Sequence, residues 1–193
     1  MNIVERVKKI LMNPKEEWEV VKGEATTVQD LFTQYAAILA AIPAIAGLIG
    51  FSAFGYGFGV RLPIGSSFGW AIVTYILSLV SVYIVGFIID ALAPTFGSNK
   101  DLVASMKVSI YASTAAWVGG LFNLIPFLSF VSFIAGIYTL VLMYFGLRIV
   151  KDVPEDKMVG YFITVVVVSI VVYVIIGAIT SGMFLTGMAI SAY

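Results

Sequence analysis

VGYFITVVVVSIVVYVIIGAIT, residues 159–180, holds no charged side chain. A helix needs about 20 apolar residues to cross roughly 30 Å of hydrocarbon, and this run is long enough. Its valines at 165–168 favour a strand by local propensity, but a bilayer offers no water to an unpaired backbone, so the context predicts a helix. Toward the N-terminus, four more runs of spanning length stand at 31–51, 68–93, 102–122 and 127–149. None shows the polar alternation of a barrel strand. The predicted fold is all-α: an integral membrane bundle of five transmembrane helices. The third run carries Lys107 and three serines, a polarity that predicts burial among other helices.

Composition agrees. Of 193 residues, 61% are hydrophobic and 11% charged, against about half and a quarter in an average globular chain. The formal net charge is zero, so nothing points to nucleic acid. Cysteine and histidine are both absent, which removes disulfides, thiol chemistry, His-based triads and ordinary zinc sites. No acidic pair lies within a run, and no phosphate-binding loop of the Walker type occurs. A Ser–Lys dyad around Lys107 would need a geometry that sequence does not supply. The expectation is therefore a non-enzymatic protein without a cofactor. The first apolar run is longer than a signal h-region and lacks a small-residue cleavage site, so it is expected to stay in the mature protein.

The ends of the runs carry their own signals. Thr27-Val-Gln-Asp30 reads as a capping box opening the first span, and Ser98-Asn-Lys-Asp101 as one opening the third. Pro43 predicts a kink in the first span. Asn123-Leu-Ile-Pro126 is short enough to make the third and fourth spans a tight antiparallel hairpin. In a five-span arrangement, ten of the eleven basic residues fall on one side and only Arg61 on the other. The positive-inside rule then places the N-terminus in the cytoplasm and the C-terminus outside. The corresponding site is the cell membrane in a prokaryote and an endomembrane otherwise. The outer loop from Gly50 to Gly65, with Phe51, Phe54, Tyr56 and Phe58, reads as part of an interfacial aromatic belt.

Residues 1–30 form a separate amphipathic segment ahead of the membrane domain at 31–193. Ile3, Val7, Ile10 and Leu11 recur at helical spacing with Arg6, Lys8 and Lys9 between them. Asn13-Pro14 restarts a helix, with Asn13 as N-cap and Glu16 completing the box. Trp18, Val21 and Ala25 share a face. The pattern predicts two helices lying on the cytoplasmic leaflet, with membrane lipid as partner and Trp18 as interfacial anchor. The competing reading packs them under the bundle.

Charge near the spans marks the candidate site. Asp90, Lys107 and Arg148 reach similar depth on the second, third and fourth helices, and the prediction is one polar cluster, chiefly a structural ion pair. Ser105, Ser109 and Ser113 repeat every four residues, beside a small-residue row of Ala112, Ala116 and Gly120. Such rows let helices approach closely, and the reading is helix packing; a water-lined path is the alternative.

Asp90-Ala-Leu-Ala-Pro-Thr-Phe-Gly97 is followed by Lys107, Tyr111-Ala-Ser-Thr114, Leu124-Ile-Pro126, Gly136-Ile-Tyr138, Gly146-Leu147 and Lys157 through Tyr161. This order, with Asn13-Pro14 and Trp18 ahead of it, resembles the Yip family, the membrane proteins named for interaction with Ypt/Rab small GTPases. The resemblance covers most of the chain and is to prokaryotic-type members. It implies a five-helix membrane bundle with a cytoplasmic N-terminus. Eukaryotic relatives act in trafficking and membrane shaping. Their long N-terminal domain is replaced here by about thirty residues, and their acidic-aromatic segment is matched only by Asp90 and Pro94, which argues against small-GTPase binding. The leading expectation is a membrane-organising, trafficking-like or scaffold role, with a homo-oligomer or another membrane protein as partner. The alternative is a small transporter or channel using Asp90, Lys107 and the serine face.

Overall fold

A computed structural model describes residues 2–54 and 64–191. Tyr56, Phe58 and Arg61 of the outer loop lie outside the described residues, and so does most of that loop. All regular structure among the described residues is helical. Two short helices, α1 (Ile3–Met12) and α2 (Pro14–Gly23), open the chain. A long rod follows: α3 (Val28–Leu31), a π-helical turn (Phe32–Ala36) and α4 (Ala37–Ala53). Thr27 caps it as the sequence predicts, accepting from the Asp30 N–H at 3.1 Å while its hydroxyl donates to the Asp30 carboxylate at 2.6 Å. Pro43 sits inside α4.

The second rod, α5 (Ile64–Leu92), ends in a 3-10 turn at Ala93–Phe96. Gly97 then takes a left-handed conformation, φ 75°, where a side chain would be strained. The predicted box at Ser98–Asp101 forms differently. Asp101 caps α6 (Leu102–Ala112) by accepting from the Ala104 N–H at 2.9 Å, while the Ser98 hydroxyl donates to the Lys151 carbonyl at 2.5 Å.

The third run is not one helix. α6 stops at Ala112, Ser113 forms a turn, and α7 (Thr114–Gly119) leads into a 3-10 turn at Gly120–Leu124. The Ser113 hydroxyl donates to the carbonyl of Ser109 at 2.8 Å, the back-bonding that competes with a helix ladder and bends it. Another short 3-10 turn, Pro126–Leu128, precedes α8 (Ser129–Val150), and the long α9 (Glu155–Ser191) completes the chain. Among the described residues, four helices are thus long and apolar enough to cross a membrane: Val28–Gly50, Ile64–Phe96, Ser129–Val150 and Glu155–Gly182.

The interrupted run nevertheless travels the length of the bundle. Ser98 and Asn99, just past α5, bond to Lys151, just past α8, so these two helices end together. α8 has 22 residues and so measures about 33 Å. The chain from Leu102 to Leu128 must cover that distance to reach the start of α8. At the far end the Ser132 hydroxyl donates to the Gly119 carbonyl at 2.8 Å and to Asn123 Oδ1 at 2.9 Å, closing the predicted hairpin.

The core lies toward the charged end, where Trp18, Ile89, Met106, Val108, Leu142 and Tyr161 are fully buried. The outer faces are apolar and open: Phe130, Phe133 and Ile137 on α8, and Ile163, Val167 and Val174 on α9. A surface of that kind on so many helix turns suits hydrocarbon, not water.

Candidate functional site

Three groups of polar contacts at the charged end bear on the predicted site residues. The first ties α1 and α2 to the bundle. Arg6 is buried and pairs with Glu17 at 2.6 Å and also with Glu24. Its guanidinium lies over the Tyr111 ring, 5.4 Å from the centroid. Lys107, also buried, donates to the carbonyls of Val21 at 2.7 Å and Glu24 at 2.6 Å. These carbonyls belong to the end of α2, where the helix dipole favours a cation; the Val21 carbonyl also accepts from the Glu24 N–H at 3.4 Å. Lys22 adds a more exposed pair with Asp152 at 2.6 Å.

The second group joins α5, α6 and the α8–α9 connection. Asp90 accepts from the Asp101 N–H at 2.7 Å and the Ser105 hydroxyl at 3.3 Å, with Lys151 Nζ at 3.9 Å. Lys151 donates to the carbonyls of Asn99 at 2.7 Å and Asp101 at 3.4 Å. Burial pushes its ammonium below the usual lysine range, opposed by Asp90 and Asp101. Tyr161 stacks on Phe96 and donates to the carbonyl of Ile89. The third group is an exposed pair, Arg148 with Glu155 at 2.8 Å.

Asp90, Lys107 and Arg148 therefore do not make the single cluster expected from their depth. Each bonds elsewhere, because a helix position fixes height in the membrane but not the direction a side chain takes. Trp18 is a second correction. It is fully buried, 6.2 Å from Tyr111 in an edge-on contact, and a Cβ added at Gly146 would sit 3.0 Å from its ring. It is a core residue and not an interfacial anchor. α1 and α2 pack into the bundle, and Tyr138 of α8 donates to the Leu11 carbonyl at 2.7 Å.

The serine row is engaged within the protein. Ser105 also donates to the Asp101 carbonyl at 2.8 Å, and Ser109 donates across to the Val82 carbonyl of α5 at 2.6 Å. Ala112 is fully buried, Ala116 is half-buried, and a Cβ at Gly120 would come within 2.5 Å of Pro43 on α4.

Sequence reasoning missed Arg6, Lys151 and Tyr111. Arg6 left a signal, since it falls three residues after Ile3 and four before Ile10, on the face that the apolar residues define. Lys151 and Tyr111 left none that spacing reveals.

A helical bundle with apolar outer faces and charge gathered at one end is the build of a multi-pass membrane protein. Residues 8–190 match the family model described as the Yip1 domain, and the chain belongs to that family. It is similar to the inner membrane protein YohC of Escherichia coli strain K12, 24% identical over 178 residues that cover 89% of this chain and 91% of the relative. YohC of Escherichia coli O6:H1 gives the same figures. No solved structure matches.

Proposed function

We propose that this protein is a non-enzymatic organiser of the membrane, crossing it five times with its charged end in the cytoplasm. Its lipid-facing helices would meet neighbouring membrane proteins or a second copy. The observation that carries this reading is the use of the polar face on the third run. Ser105, Ser109 and Ser113 spend their hydroxyl protons, and Lys107 two of its three N–H donors, on protein acceptors. A solute path along that face would need donors that remain free to exchange. The close approach of Gly86 to Met106 and of Gly120 to Pro43 likewise favours packed helices over a wet channel.

The test is reconstitution of the full chain in liposomes containing a pH-sensitive dye. Proton flux is expected to equal that of protein-free vesicles, and cross-linking in native membranes to capture a second copy or another membrane protein. A flux that Asp90→Asn or Lys107→Gln abolishes would replace this reading with transport.

A further inference from the structure

Where the charged N-terminal helices meet the apolar rods, a cavity of about 350 Å³ opens between α1, the α2–α3 connection, the first rod and α6. We propose that this cavity binds a zwitterionic aminophosphate, the headgroup chemistry of an ethanolamine phospholipid, through Arg6, Glu24, Asp30, Gln34 and Tyr111.

Gln34 and Tyr35 line the cavity, and the segment Ala37–Ala53 beyond them carries no charge. Residues 24–34 behind them include Glu24, Asp30 and Gln34. This change from polar to apolar along one rod is where headgroups meet hydrocarbon. The wall is also irregular there. Phe32–Ala36 is the π-helical turn, a rare geometry that recurs at functional sites, and it carries Gln34 and Tyr35.

One polar group in the cavity lacks a partner. Tyr111 is only 7% exposed and lines the cavity, yet no hydrogen bond engages its hydroxyl among the described residues. Its neighbour Tyr35 is satisfied by Thr114 at 2.8 Å. The ring is held in the core while the hydroxyl is open to the cavity, where a ligand or water can take its proton.

The donor set then selects the ligand. Arg6 contributes one positive charge to the lining, Glu24 and Asp30 one negative each, so the lining is net negative by one. A bare phosphate would be repelled. A simple ammonium ion would leave the Tyr111 proton without an acceptor. A molecule with both groups satisfies both ends. Its ammonium takes Glu24 and Asp30, whose oxygens have lone pairs beyond those used by Arg6, Thr27 and Gln34. Its phosphate takes the Tyr111 hydroxyl, the remaining N–H of the Gln34 amide and the Arg6 guanidinium.

The test measures retention of diacyl phosphatidylethanolamine, phosphatidylglycerol and phosphatidylcholine by the purified full chain, using native mass spectrometry. The ethanolamine lipid should be kept about tenfold more strongly than the choline lipid, whose trimethylammonium cannot donate to Glu24 or Asp30. Tyr111→Phe should lower that retention about tenfold without moving the melting temperature. Gln34→Ala, at an exposed position that does not threaten folding, should lower it in the same direction. Soluble glycerophosphoethanolamine separates the sources. Competition assigns the site to a free aminophosphate, and retained lipid without competition assigns it to the headgroup. Equal retention of the three lipids, or undiminished retention by both variants, overturns the proposal.

Discussion

Lys107→Met removes one buried ammonium and two hydrogen bonds that hold the end of α2, to the carbonyls of Val21 at 2.7 Å and Glu24 at 2.6 Å. Bonds to a charged donor contribute about 1.5–3 kcal/mol each. Against that, removing the ammonium also removes its own desolvation cost, which in buried pairs offsets much of the gain. Methionine keeps the packing of the stem. What it cannot replace is the donor to the Glu24 carbonyl, and a part-buried acceptor left without one costs about 1–3 kcal/mol, whereas the Val21 carbonyl keeps the Glu24 N–H at 3.4 Å. The expected net loss is about 2 kcal/mol, a roughly 30-fold rise in the opening equilibrium of the α1–α2 pair. Amide hydrogen exchange on the full chain in nanodiscs reads this directly. Protection in residues 14–24 should fall about 30-fold, while α5 and α9 keep theirs. Unchanged protection in α2, or an equal fall in α9, would refute the assignment of Lys107 to the α2 terminus.

Asp90→Asn combined with Lys107→Met should lose the sum of the single changes within about 0.5 kcal/mol, because the two share no bond; a thermal-stability cycle showing larger coupling would restore the direct pair. Arg6→Ala strands buried Glu17 and should cost about 3–5 kcal/mol, whereas Arg148→Gln breaks an exposed pair and should cost under about 1 kcal/mol; equal melting temperatures would contradict both. Lys151 binds its proton less tightly in the fold than in the unfolded chain. Between its lowered value and the ordinary lysine value of about 10.5 the unfolded state holds more protons, so stability rises with pH. The melting temperature of the wild type relative to Lys151→Met should therefore climb as pH approaches that upper limit, and a decline would show the burial to be wrongly assigned.

Much of the architecture was legible because spans are governed by length and charge. The runs at 127–149 and 159–180 became α8 and α9, and the Thr27 box formed as written. The break in the third run was not legible. Serines at that spacing suit packing, and only the observed bond from Ser113 to Ser109 shows one of them turning back on its own helix. The N-terminal pair misled for a different reason. Ile3, Val7 and Ile10 define an apolar face, but periodicity does not say whether lipid or protein covers it. The close fit of Trp18 against Gly146 and Tyr111 answers that. The expected Asp90–Lys107–Arg148 cluster failed because height along three helices carries no information on rotation, and the α2 carbonyls and Lys151 came from outside the runs being compared.

If the interrupted run makes a fifth crossing, as proposed, the α8–α9 connection shares a side with the N-terminus. The chain contains no cysteine, so single cysteines can be placed by Val60→Cys, Glu155→Cys and Tyr193→Cys and probed in intact cells with a membrane-impermeant thiol reagent. Labelling at positions 60 and 193, with position 155 protected until the membrane is opened, is the predicted result. Labelling at 155 with 193 protected would mean four crossings and would rule out the fifth.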